Sequence, residues 1–241
     1  MGISLKDMIS SMLKNKSKSI IQRQSITETL TERIRENILS GVYPVNTLLR
    51  QETLAEEFGV SRMPVRETLR NLETEGLVVL QAGRGALVPE LSIDEVNEIF
   101  HLRLLLEVET LKAAIPNATE SSLKNSEALA IQLDAAYDSN DIGAWGELNA
   151  RFHMSLYAPS AMKATLAIIQ RLNYQIDRYV RLQLVLDQDM RKASNEHKDL
   201  CQLCRSGDVE RAASLLSLHI DITRNRLVTA LSTKKTVDIR N

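Results

Sequence analysis

Apolar positions recur along most of this chain at helical spacing. Between Thr27 and Ser40, Leu30, Ile34, Ile38 and Leu39 form one stripe that Gly41 ends, which predicts a helix. Val42-Tyr43-Pro44 reads as extended, and a second amphipathic helix is predicted from about Gln51 to Phe58. Gly59 then supplies a turn, and a third helix follows with Val65, Leu69 and Leu72 on its inner face. Ser61 is placed to cap that helix by accepting a free N–H of the first turn. Pro64 lies within the first turn, where a missing N–H costs little. Arg62, Arg66 and Arg70 recur every four residues on another face. The period then changes. Two β-type runs, Gly76 to Gln81 and Ala86 to Pro89, flank Ala82-Gly83-Arg84-Gly85 and predict a hairpin. From Ser92 onward the pattern is helical to the end, with candidate helices over about 93–115, 119–138, 143–157, 161–186, 190–206 and 208–232. Their starts carry the entry signals Ser92, Thr119, Asp141, Ser194-Asn195-Glu196 and Gly207-Asp208.

Helix, glycine turn, arginine-bearing helix and hairpin, in that order, describe a winged helix-turn-helix that reads DNA. The expected contacts are Ser61, Arg62, Pro64, Arg66 and Arg70 on the third helix, and Gly83 and Arg84 at the wing tip. There the glycine lets the backbone approach a phosphate and the arginine can reach into a narrow minor groove. The expected fold is mainly α: residues 26–90 a winged helix-turn-helix with a small hairpin wing, and residues 91–241 an all-helical bundle.

Bulk properties narrow this picture. A length of 241 residues suits two ordinary domains, and aromatic residues make up only 4%, which favours helices over a β-sandwich. Net charge is −1, and residues 26–90 are net acidic, so attraction to phosphate must come from the local placement of Arg50, Arg62, Arg66, Arg70 and Arg84. Residues 1–25 form a basic arm, in which Leu5, Met8, Ile9, Met12 and Leu13 fall at the spacing of a short amphipathic helix. Two cysteines are too few for a disulfide-stapled fold. No apolar run has the length of a membrane span or of a signal-peptide core, so a cytoplasmic protein without membrane association is expected. Cys201-Gln202-Leu203-Cys204 lies within an apolar helix face and reads as packing, as does Trp145, the only tryptophan.

Three of the four histidines lie on three different predicted helices: His153, His197 and His219. Asn149 precedes His153 by four residues and shares its face. Three imidazoles and an oxygen donor, if they converge, would suit Zn²⁺ or another divalent first-row ion. Spacing alone leaves open whether they converge or are ordinary polar residues.

The run Phe58-Gly59-Val60-Ser61-Arg62, with Pro64-Val65-Arg66-Glu67-Thr68-Leu69 and Leu72-Glu73-Thr74-Glu75-Gly76-Leu77-Val78, resembles the winged helix of the GntR family of bacterial transcription factors. Arg103 with Leu106-Glu107, Asn149-Ala150-Arg151-Phe152-His153, Glu196-His197, Gly207-Asp208 and His219-Ile220 resemble the helical FCD domain of its FadR subgroup. The resemblance implies a dimeric regulator that binds operator DNA and answers to a small-molecule effector, a carboxylate by expectation. It implies a metal held by Asn149, His153, His197 and His219, with Zn²⁺ first and Ni²⁺ or Mn²⁺ as alternatives. Relatives usually carry Asp at the position of Asn149, which here brings no negative charge. They often carry Arg at the position of Glu52, so the contact falls to Arg50. Arg103 matches an effector-pocket arginine and could clamp a carboxylate bidentately, or simply pair with Glu107 one turn on. A metal-dependent hydrolase joined to a DNA-binding domain, and a regulator with a purely structural metal, are the competing readings. Glu196, beside His197, is the one candidate general base, and no His-Glu-x-x-His motif accompanies it.

Overall fold

The computed structural model describes residues 25–139, 141–186 and 190–238. The basic arm and its amphipathic segment lie outside the described residues. Helix α1 (Ile26–Leu39) starts at a capping box, in which the Ser25 hydroxyl accepts the Glu28 N–H and the Glu28 carboxylate accepts the Ser25 N–H. Strand β1 (Leu48–Leu49) leads into α2 (Gln51–Phe58), which ends at Gly59 with φ +64°, a left-handed conformation that favours glycine. Helix α3 (Arg62–Thr74) follows. Ser61 stands at its N-cap in extended backbone, but its hydroxyl makes no capping bond, so the side-chain cap expected from sequence is not formed.

Strands β2 (Val79–Gln81) and β3 (Gly85–Leu87) form the expected hairpin. Strand β1 joins it at the other edge of β3, with Leu49 opposite Ala86, to give a three-stranded antiparallel sheet in the order β1-β3-β2. The sequence pattern contained no sign of this third strand, because two residues carry no period. Gly85 is required here by proximity: a Cβ would lie 2.1 Å from the Leu49 carbonyl oxygen. Leu30, Ile34, Ile38, Leu54, Val65, Leu69, Leu72, Ala86 and Val88 make one buried cluster under the sheet.

The remaining described residues form six further α-helices: α4 (Ile93–Ala114), α5 (Glu120–Asp138), α6 (Ile142–Tyr157), α7 (Lys163–Leu186), α8 (Met190–Ser206) and α9 (Val209–Asp238). Capping boxes at Ser92 and Thr119 start α4 and α5, and the Asp141 carboxylate accepts the Ala144 N–H to start α6. Asp208 does the same for α9 through the Arg211 N–H. Helix α8 spans the 190–206 expected from sequence, so the entry signal at Ser194 falls inside it, one turn from its start. Helix α4 packs along α9, and α5 packs on α6 and α8. Phe100, Leu111, Leu133, Phe152, Tyr157, Ile169, Leu200 and Leu216 anchor a second buried cluster, which also contains Trp145, Cys201 and Cys204. Both thiols are buried and free, and burial pushes them up to about 12 and about 11, so neither is a ready nucleophile.

The two clusters meet where α1 and α3 face α7. Tyr174 packs against the first cluster with the Arg35 guanidinium 5.0 Å from its ring centre. Arg181 Nη1 donates to Glu36 Oε1 at 2.8 Å, and the Tyr179 hydroxyl accepts the Leu91 N–H at 2.7 Å. Among the described residues no helix is long and apolar enough to cross a membrane.

Candidate DNA-binding face and metal centre

Helix α3 divides sharply. Val65, Leu69 and Leu72 are fully buried, while Ser61, Arg62, Arg66 and Arg70 are exposed and Pro64 is half-buried. Arg50, at the N-cap of α2, is exposed, as are Gly83 and Arg84 at the wing tip. The Arg84 N–H donates to the Gln81 carbonyl at 3.0 Å, and Gly83 takes φ +69° within that turn. Arg62 is not free in the isolated protein: its Nη1 lies 2.9 Å from Glu52 Oε1. The residue flagged as unusual in sequence thus holds one of the arginines expected to read DNA.

The three histidines converge. His153 on α6, His197 on α8 and His219 on α9 have ring centres 5.1–5.3 Å apart pairwise, and their donor nitrogens all lie within 4.8 Å of one another. Phe152, fully buried, packs its ring 4.8 Å from that of His197. Burial, reinforced by the neighbouring imidazoles, holds His153 and His197 well below the ordinary histidine value, so both are neutral. Neutral rings are the form that ligates metal.

Two of the rings have partners behind them. His219 Nδ1 lies 2.7 Å from Glu196 Oε2. The Tyr157 hydroxyl stands 3.4 Å from His153 Nδ1 and donates to Glu107 Oε2 at 2.7 Å. Such partners orient an imidazole and leave its other nitrogen for an ion. Both nitrogens of His197, by contrast, are buried without a hydrogen-bond partner among the described residues. A buried polar group left unpaired costs free energy. A divalent ion shared with His153 and His219 would give one of those nitrogens a partner, so the residues present fit a metal.

The triad forms part of the wall of a cavity of about 830 Å³, which Asn149 and Arg103 also line. Arg103 and Glu107 pair within α4, Nε to Oε1 at 2.7 Å, and both are buried. Sequence presented the pair and the cavity role as alternatives. The structure shows the pair and places the same guanidinium in the cavity wall. Burial makes such a pair directional, since an unpartnered guanidinium there would be costly. His101 is exposed and away from the triad cluster.

Sequence reasoning missed several members of this site. Tyr157 stands four residues after His153 on the same helix, a spacing that could have revealed it. Trp145 and Tyr137, with rings 5.5 Å apart, are core residues that also line the cavity. Glu196 contacts His219 rather than serving as a free base.

Comparison with known proteins agrees with this architecture. The model of the bacterial regulatory proteins of the gntR family matches residues 26–88, and that of the FCD domain matches residues 98–222. An HTH-type transcriptional regulator named BphR, from Paraburkholderia xenovorans, is 28% identical over 204 residues, covering 82% of this chain and 83% of its own. The gluconate operon transcriptional repressor of Bacillus subtilis is 26% identical over 191 residues, 77% of each chain. Among solved structures, E. coli McbR/YncC superposes with a TM-score of 0.77 at 21% identity, covering 86% of this chain and 99% of that one.

Proposed function

The chain belongs to the GntR family and carries the FCD effector-binding domain, and from that premise we propose a ligand-controlled regulator whose operator affinity answers to a carboxylate held beside a divalent metal. Its relatives and structural neighbours are transcriptional regulators and not enzymes, which removes the hydrolase reading. The observation that carries the proposal is the convergence of three histidines from three helices, His153 and His197 buried and His219 partly so, on a cavity that also holds Arg103.

His153, His197 and His219 would hold the ion, with the Asn149 carbonyl oxygen as a fourth donor and Zn²⁺ as the first candidate. Three neutral imidazoles and an amide leave the ion's positive charge uncompensated. An anionic ligand is therefore favoured in the cavity, and Arg103 supports the same charge. Gluconate, the acid in the name of the Bacillus subtilis relative, is an anion of this chemical kind. The cavity beside the triad distinguishes the site from a closed structural metal site, in which all positions belong to the protein.

A single α3 reads too few base pairs to define a genomic target, so two copies acting on a pseudo-palindrome are part of the proposal. Leu102 and Leu105, neighbours on α4, are exposed at 39% and 52% and offer an apolar face to a second copy. Control then follows as a population shift, in which the acid binds the DNA-competent and incompetent arrangements with different affinity.

Metal analysis and calorimetry test the centre. Wild type should take up Zn²⁺ in a one-to-one ratio, and His197→Ala should take up none and lose acid-dependent changes in DNA binding. Asn149→Asp should bind Zn²⁺ more tightly and carboxylates more weakly, because it adds a negative ligand. A wild-type protein that neither carries an ion nor binds added Zn²⁺ would reduce the histidines to ordinary core residues.

A further inference from the structure

The cavity that contains the triad does not belong to the helical bundle alone. Its lining also includes Arg33, Arg35 and Glu36 of α1, the first helix of the DNA-binding unit. Arg181 of α7 lines it as well. Its side chain is only 6% exposed, with Nε donating to Asp177 Oδ2 and Nη1 to Glu36 Oε1, each at 2.8 Å. Asp177 is a neighbour on the same helix, 15% exposed, so its pairing with Arg181 is built into α7. Glu36 is different: it comes from the other core, and its side chain is 51% exposed.

Helix α6, which supplies Asn149 and His153, is shaped around this arginine. At Gly146 a Cβ would stand 2.2 Å from Arg181 Nε, so any larger residue would push the guanidinium away. Arg103, next to the triad, is close enough for its charge to act on Asp177. A line of charged groups therefore runs from the histidines through Arg103, Asp177 and Arg181 to Glu36.

We propose that Arg181 is a second anion anchor in this cavity, that the natural ligand is dianionic, and that its second carboxylate displaces Glu36 from Arg181. This rests on the reading of the triad cavity as a carboxylate site. Glu36 is already half in water, so it leaves with little desolvation cost. Arg181 keeps Asp177 on Nε, but its buried Nη1 needs another acceptor in place of Glu36. A monocarboxylate at the metal end leaves the Glu36–Arg181 bridge intact. A dicarboxylate of the right length takes over Arg181 and releases α1, which moves the winged helix without any change at the distal DNA face. Because binding and release are linked, whatever weakens the Glu36 bridge must strengthen the diacid by the same factor.

Calorimetry on the zinc-loaded full chain tests this with matched acids: glutarate, adipate and pimelate against pentanoate, hexanoate and heptanoate. At one chain length wild type should prefer the diacid by about tenfold or more. Glu36→Gln, which keeps the shape and removes the competing charge, should tighten that diacid several-fold and leave its monoacid unchanged. Arg181→Gln should abolish the preference and keep monoacid binding. Monoacid binding without a diacid preference at any length would overturn the second anchor and leave the metal-site reading standing, as would a diacid affinity that Glu36→Gln does not raise. If no acid of either kind binds the zinc-loaded protein, the carboxylate reading itself fails and the second anchor falls with it.

Discussion

Single residues in this protein act through what they touch. Glu52 sits where the sequence suggested a loss of positive charge, and the structure gives it a partner in Arg62. Both groups are exposed, so the bridge contributes less than about 1 kcal/mol to stability. Its effect on DNA binding is separate, since Arg62 must leave Glu52 to reach a base or phosphate. Glu52→Gln should raise affinity for operator DNA roughly two- to fivefold at fixed salt, the equivalent of under about 1 kcal/mol, with little change in melting temperature. Unchanged affinity in a mobility-shift titration would mean that the bridge does not hold Arg62 back from the DNA. The histidines make a second prediction at this scale. Burial lowers His153 and His197, while an unfolded chain protonates its histidines at about pH 6.5. Below that value the unfolded state takes up protons that the buried rings refuse, so these residues disfavour folding as pH falls and have no such effect above it. Thermal melts of metal-stripped protein should be flat above about pH 7 and decline between about pH 6.5 and 5.5. A melting temperature that stays flat over that interval would mean that the rings titrate as they do in the unfolded chain and are in contact with water.

At the scale of the element, α3 shows how one helix serves fold and function on adjacent faces. Leu69 is fully buried and Arg66 is exposed, three residues apart. Arg66→Ala should therefore weaken specific DNA binding by about 1–3 kcal/mol and leave the melting temperature unchanged. Leu69→Ala should destabilise the fold by about 2–5 kcal/mol through a core cavity. Melting and DNA titration on the two variants form one experiment, and equal destabilisation of both would show that α3 is buried on all sides. The element boundaries themselves were legible where local chemistry sets them. Ser92, Thr119 and Asp141 each accept a backbone N–H, as their side chains allow at a helix start, whereas the capping Ser25 lay two residues before the helix start read from sequence. Ser61 stands at the same kind of position without bonding, because a side-chain rotamer is decided by surroundings as well as by sequence. Strand β1 was invisible for a related reason: its two residues are extended only because Gly85 to Leu87 lie beside them.

On the scale of the whole molecule, two buried clusters meet across α7, and residues of the meeting surface also line the cavity. Under the proposed function this arrangement would let the bundle sense a ligand and move a DNA reader. The exposed leucines of α4 make a further prediction, tied to the proposed pairing of two copies. Sedimentation at micromolar concentration should give twice the 27.1 kDa chain mass, and Leu105→Glu should shift the population toward the single chain. A wild-type monomer that binds DNA tightly one-to-one would contradict the pairing.

What the sequence determined by itself were properties of short range. Helical period, capping residues, the glycine turns and the arginine spacing of α3 depend on neighbours within a few positions, so each can be read along the chain. The resemblance in motif extended this to the family. The tertiary structure decided what depends on distance in space. His153, His197 and His219 form a site only because α6, α8 and α9 pack with those faces inward, and Arg181 meets Glu36 across 145 residues of chain. Contacts of that separation are selected by the burial of a whole core rather than by any local pattern, which is why the chemistry of the cavity became visible only in the fold.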